Sequence, residues 1–187
     1  LKDGIITTMG PLKGQNIPRL FTRPTFSTLL VDNVNNSAER FELPDNKTFG
    51  FRGYMNCKAR GFMVYVLHHI ADIEKDIHIN KVWSGPAAIG SDTHKVYVDT
   101  MLSNAVSLCP RGSGIDSVRF LESCYYNRVP VIISDLDYHL VGEDHHDMSF
   151  CFRLNIEDYN QEKLTKELLE INNTSQEELQ FRASKAK

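Results

Sequence analysis

Two arginines, a serine and a glutamate recur at short intervals in Cys109-Pro-Arg-Gly-Ser-Gly-Ile-Asp-Ser-Val-Arg-Phe-Leu-Glu122, and Arg128-Val-Pro-Val-Ile-Ile-Ser-Asp135 follows. The stretch reads as a buried strand, a glycine-rich turn, the first turns of a helix and a second buried strand. Gly112 and Gly114, with Ser113 between them, let the backbone turn sharply and approach a ligand with no Cβ in the way. Asp116 or Ser117 then opens the helix. Its unpaired N–H groups and partial positive charge favour phosphate, and Ser117 adds a hydroxyl donor. Arg119 lies within the first turn and can offer the same anion two parallel donors, while Arg111 approaches from the other side. Glu122 stands three residues after Arg119 on one helical face and can accept from both hydroxyls of a ribose. A ligand with phosphates at one end and hydroxyls at the other, such as a nucleotide-sugar, suits this set. The blander alternative is an Arg119–Glu122 surface pair, worth little in water.

Other clusters carry less. Gly142-Glu-Asp-His-His-Asp147 offers two histidines and three carboxylates, and Glu143, His145 or Asp147 could act as a base. Adjacent residues point apart and rarely chelate one ion together. We expect a solvated polar loop there and no metal. Of His68 and His69, one is expected to pack on the sheet and the other to face water. Lys58 and Arg60 sit near a helix start and could extend a phosphate patch, or be ordinary surface cations. Trp83 reads as core.

The elements that must position the signature follow from periodicity. Phe49-Gly-Phe-Arg-Gly53 is a short strand ending in a glycine turn. Residues 57–71 are helical, with Phe62, Val66 and Ile70 on one face. Strands are expected over 77–83, 104–109 and 129–134, with a weaker one over 148–154. Helices are expected over 94–102, 115–126 and 161–171, and a last one is capped by the Ser175/Glu178 box. Strands thus alternate with helices from residue 48, the pattern of a parallel sheet with helices on both faces. Ligands bind such sheets at the carboxyl ends of the strands, where the turn at 111–117 falls. Residues 1–47, with four prolines and no sustained period, read as an irregular arm packed on this domain or as the remnant of an acceptor-side region.

The chain has 187 residues, 41% of them hydrophobic and 24% charged, enough for one domain with a real core. A net charge of -3 argues against sequence-independent nucleic-acid binding, which goes with a basic excess. No apolar run approaches the roughly 20 residues that cross a bilayer, and no signal-peptide pattern is visible. The chain opens on Leu1, so it reads as trimmed or as a piece of a longer protein. Cys57, Cys109, Cys124 and Cys151 are expected to be reduced thiols in a structural role.

Cys-Pro-Arg-Gly-x-Gly-x-x-Ser-x-Arg-x-x-Glu, then a helix and Pro-Val-Ile-Ile-Ser-Asp, resembles the donor-binding domain of exostosin-family glycosyltransferases. The likeness is dense from Ser107 to Asp135 and looser over 48–172; Phe49-Gly-Phe-Arg-Gly53 is similar to the family's first strand and turn. It implies a GT-B architecture, in which this domain is the Rossmann-like half that holds a UDP- or GDP-linked sugar. Arg111, Ser117 and Arg119 would then contact the diphosphate and stabilise the leaving group. Glu122 would hold the ribose, and Arg52 beside Gly53 would face the phosphates. Sugar transfer to a hydroxyl of a glycan acceptor, with inversion and without a metal or other cofactor, is the implied reaction. The acceptor half would come from a missing domain or a partner chain. The family's members imply either a cytoplasmic location, of bacterial or viral type, or the Golgi lumen. The chain departs from the family where Tyr125, Tyr126 and Asn127-Arg128 stand in place of a small residue and glycine. A non-catalytic nucleotide- or glycan-binding module that kept the signature is the alternative.

Overall fold

A computed structural model describes residues 7–8, 21–22, 41–81, 92–115, 117–137, 143 and 147–186. Thr7–Thr8 (β1) and Phe21–Thr22 (β2) form a two-residue parallel pair. From there the order is β3 (Phe49–Tyr54), α1 (Lys58–His68), β4 (Lys75–Asn80), α2 (Asp92–Ser103), β5 (Val106–Pro110), α3 (Val118–Tyr125), β6 (Val129–Ser134), β7 (Phe152–Asn155), α4 (Gln161–Asn172) and α5 (Gln176–Lys185).

The five strands β3–β7 make one sheet in the order β4-β3-β5-β6-β7, with every neighbouring pair parallel. The protein is an α/β domain of Rossmann-like type, as the alternation of periods predicts. The chain goes outward from β3 to β4, returns across β3 to β5, and continues outward to β6 and β7. Loops leaving β3 and β5 therefore part to opposite sides. This switch in direction, at the strands' carboxyl ends, is where open α/β sheets place their ligand crevice.

Side chains alternate across the pleat, so each face of the sheet gets its own core. Phe49, Phe51, Val106, Leu108, Val131 and Ile133 pack with Met63 and Leu67 of α1, Leu164 and Leu168 of α4 and Leu179 of α5. On the other face Cys109 and Ile132 pack with Phe120 of α3 and with Phe150 and Cys151. Both β5 and β6 are buried along their whole length, which is why they read as near-continuous apolar runs. The four cysteines are free thiols. Burial pushes the Cys109 and Cys124 thiols up and takes Cys151 to about 11, which disfavours the nucleophilic thiolate at all three.

Local chemistry sets the element ends. Asn160 accepts from Lys163 N at the start of α4, and Ser175 accepts from Glu178 N at 3.2 Å at the start of α5. Ser117 is extended and serves as N-cap, so α3 begins at Val118 and not at 115. At its other end Asn127 has a φ of 59°. Asn127 N donates to Cys124 O at 3.1 Å and Arg128 N to Ser123 O at 2.8 Å. This is a Schellman closure with asparagine in the left-handed position that glycine usually fills. Three expectations need correction. Strand β4 runs from Lys75 to Asn80, and Trp83 lies outside the described residues. The last strand starts at Phe152, because the Asp147 carboxylate turns the chain by accepting from Ser149 N. His68 and His69 are both exposed at the end of α1, so neither packs on the sheet.

Residues 41–47 are irregular but fastened to the sheet domain. Asn46 Oδ1 accepts from Thr48 N and Ala105 N, and its amide donates to Ser103 O. Arg128 is 1% exposed and donates to Tyr126 O, Leu102 O and Glu42 O. Burial lowers its pKa to about 10. Phe41 meets Tyr126 edge to face at 4.9 Å. Among the described residues no helix is long and apolar enough to cross a membrane.

Candidate functional site

The loops after β3 and β5 are tied together at the crevice. Asn56 Nδ2 donates to Ser113 Oγ at 2.9 Å, and the Cys57 thiol to Arg111 O at 3.2 Å. Arg60, in the first turn of α1, donates to Arg111 O at 3.0 Å and to Tyr54 O at 2.7 Å. A Cβ on Gly112 would stand 3.3 Å from Arg60 Nη2. A side chain there would press on the guanidinium, which would have to give by a few tenths of an ångström.

Two helix starts converge on this place. Neither α1 nor α3 has an acidic residue in its first turn, and neither N-cap, Cys57 or Ser117, gives its helix a side-chain capping bond. Lys58 and Arg60 instead put cations at the positive pole of α1, the unfavourable sign for a helix dipole. Arg60 has its pKa lowered by burial and then by the nearby charges of Arg119 and Arg111. Crowded guanidinium groups of this kind are stabilised by an anion.

Arg119 is 8% exposed. Its guanidinium lies between two rings, 4.9 Å from the centroid of Phe51 and 4.7 Å from that of Tyr97. It donates to the backbone carbonyl of Arg52, which fastens α3 to β3. Cation–π contacts of this type are worth about 0.5–2 kcal/mol each and offset part of the cost of burying the charge. Glu122 is 5% exposed and accepts from the Tyr97 hydroxyl. Burial first, and then the negative Glu122, push the Tyr97 phenol well up, so it stays a donor. Arg119 and Glu122 are thus not the exposed surface pair that spacing alone allowed.

Arg111 leaves the end of β5 and meets Asp135, the first residue after β6. Its Nη2 donates to Oδ2 at 2.9 Å, its Nε faces Oδ1, and its Nη1 donates to Gly112 O at 3.0 Å. The Arg111 bond holds the Asp135 carboxyl down to about 2. Tyr159, between β7 and α4, donates its hydroxyl to the same carboxylate. Its own phenol is raised to about 12, by burial and by Asp135. Lys58 Nζ sits 3.6 Å over the Tyr159 ring, and Phe62 meets that ring edge to face.

The residues singled out in sequence divide accordingly. Arg111, Gly112 and Ser113 meet Asn56 and Arg60 where β3 and β5 end, and Ser117 and Arg119 open α3 beside the Arg52 carbonyl, while Glu122, further along α3, is buried against Tyr97. Arg52 Nε is buried and without a hydrogen-bond partner among the described residues. Gly53 and Gly114 lie on β3 and in the turn. Asp116 lies outside the described residues, as do Gly142, Asp144, His145 and His146. Glu143 pairs with Arg153 at 2.6 Å, and Asp147 with Lys185 at 3.1 Å. No group of three or more metal-ligating side chains occurs among the described residues. Sequence reasoning gave no role to Asn56, Tyr97, Asp135 or Tyr159. Only Asp135 carried a signal, as the polar residue that closes an apolar strand.

A scan against models of protein families and a search of curated proteins both find no match to this chain.

Proposed function

We propose that this domain binds the diphosphate end of a nucleotide-sugar at the β3–β5 crevice and serves a glycosyltransferase of exostosin type. One observation carries the proposal. Among the described residues, Lys58 and Arg60 stand in the first turn of α1 and Arg119 in that of α3, two helix starts without a side-chain capping bond. Arg111 leaves the end of β5 beside Arg60, and Arg52 offers its carbonyl to Arg119, while the carboxylates beside this set are Asp135 and Glu122. A diphosphate supplies the missing negative charge and acceptor oxygens. In the proposed reaction an acceptor hydroxyl attacks the anomeric carbon from the face opposite the nucleotide, and the configuration inverts. Charge then grows on the departing diphosphate, and preorganised arginines and helix N–H groups stabilise it without reorganising. No metal is required for that step. The acceptor glycan and the base that takes its proton belong to a facing domain or partner chain.

Calorimetric titration with UDP, GDP and their sugar conjugates tests the proposal. Saturable binding of one nucleotide, weakened about tenfold or more in Arg111→Ala, is expected. A fully folded chain that binds none of them would overturn it. Transfer or hydrolysis of the bound sugar then separates an enzyme from a module that only binds.

A further inference from the structure

We propose that Asp135 and Tyr159 are positioning residues that aim the Arg111 guanidinium at the anion; the inference rests on the donor-site reading above. A guanidinium has five N–H donors in one plane. Arg111 uses its Nε and one Nη2 donor on Asp135 and one Nη1 donor on Gly112 O. These contacts fix the plane and leave one donor on each terminal nitrogen for a ligand. The side chain is 15% exposed, so the crevice can reach it.

Asp135 is itself oriented by the Tyr159 hydroxyl. Tyr159 has a φ of 47°, the left-handed region, where a bulky side chain is strained. Such strain persists when surrounding contacts over-determine it, and it clusters at functional sites. The surrounding contacts here are Lys58 over the ring, Phe62 at its edge and Tyr159 N donating to Ile156 O at 3.0 Å. The ends of β5, β6 and β7 and the start of α1 thus act on one guanidinium. Nothing in the packing of the core calls for a phenol rather than a phenyl ring at 159. The hydroxyl serves Asp135, and Asp135 serves Arg111.

The test is titration of the whole chain with inorganic pyrophosphate, which has both phosphates and no base, alongside thermal melts. Tyr159→Phe keeps the ring and its neighbours and removes only the hydroxyl. It should weaken pyrophosphate about 3- to 10-fold, the value of one hydrogen bond. In an Arg111→Ala background the same change should do nothing further, because coupled residues are non-additive. A merely structural role would show the same loss in both backgrounds. Should Tyr159→Phe not fold, Asp135→Asn gives the same comparison. Equal binding by wild type and Tyr159→Phe sinks the positioning role and leaves the donor site standing. Tighter binding by Asp135→Asn would mean that the carboxylate competes with the ligand, and would overturn the positioning role as well. A folded wild type that binds no pyrophosphate overturns the donor-site reading and this inference with it.

Discussion

Arg60 Nε donates to the carbonyl oxygen of Arg111 at 3.0 Å, and this contact joins the loop after β3 to the loop after β5. Its second bond, to Tyr54 O at 2.7 Å, closes the bracket on the β3 side. Both acceptors are main-chain oxygens, so the arginine shapes the crevice as well as charging it.

Removing Arg60 should therefore act on stability and on anion response together. Two charge-assisted bonds are lost, and repulsion from Arg111 and Arg119 is relieved. We expect Arg60→Ala to cost about 1–3 kcal/mol in denaturant unfolding. A ligand that binds only the folded state raises its melting temperature. Added pyrophosphate should raise the wild-type melting temperature and raise that of the variant by less. An equal rise in both would place the anion elsewhere.

Asp135 should give the domain a specific acid weakness. Its carboxyl sits at about 2 in the folded chain against an ordinary 3.8, with the Arg111 bond as the main cause, and its side chain is 12% exposed. A depressed carboxyl contributes stability that is full above the unfolded value and is lost as pH falls through the folded one. The contribution is about 2 kcal/mol and should fade between about pH 4 and pH 2. Asp147 is also held at about 2, mainly by Ser149, so the wild-type curve alone does not isolate Asp135. Asp135→Asn should be less stable than wild type at pH 7, and the gap should close as pH falls through about 2. A gap that stays constant across this range would show that the carboxylate charge is not what matters.

Much of this architecture was legible because it rests on local rules. Residues 129–134 read as a strand from their β-branched run alone, and that is where β6 lies. The Ser175 cap and the glycine turn at Gly112 were also readable, since each is set by a few neighbouring residues. The partners of the signature side chains were not. Arg119 meets Arg52 O, Phe51 and Tyr97, and the nearest of these in sequence is more than twenty residues away. Tyr159 reaches Asp135 only because β7 is laid beside β6. No periodicity records such a contact. The sequence spacing supplied the kinds of group present, and the strand order decided which of them meet.

Asn127 offers a check on the turn that leads into β6. Its φ of 59° costs a side chain with a Cβ about 1 kcal/mol, less for asparagine than for most. Its Oδ1 is buried without a partner among the described residues, which adds a desolvation cost. Asn127→Gly should be neutral or slightly stabilising by thermal unfolding, and Asn127→Val should lose about 1–2 kcal/mol. If valine were tolerated as well as glycine, the left-handed closure between α3 and β6 would be wrong.

Arg128 sets how much of the chain before the first sheet strand the domain needs. It is buried and holds the carbonyls of Glu42, Leu102 and Tyr126 at 2.6, 3.0 and 2.7 Å. Asn46 adds bonds to Ser103 and Ala105, and Leu43 packs on the main core. A chain starting at residue 48 strands a buried guanidinium donor and leaves the Ala105 N–H without its acceptor. Buried polar groups that lose their partners cost about 1–3 kcal/mol each. The chain starting at 48 should therefore unfold at a clearly lower temperature than one starting at 41. Arg128→Met replaces the charge with an apolar side chain of similar length and removes the need for the Glu42 carbonyl. The difference between the two starting points should shrink in that background, because part of the loss on truncation is the unpaired guanidinium itself. Equal melting of the two wild-type fragments would show that residues 41–47 rest on the domain without supporting it.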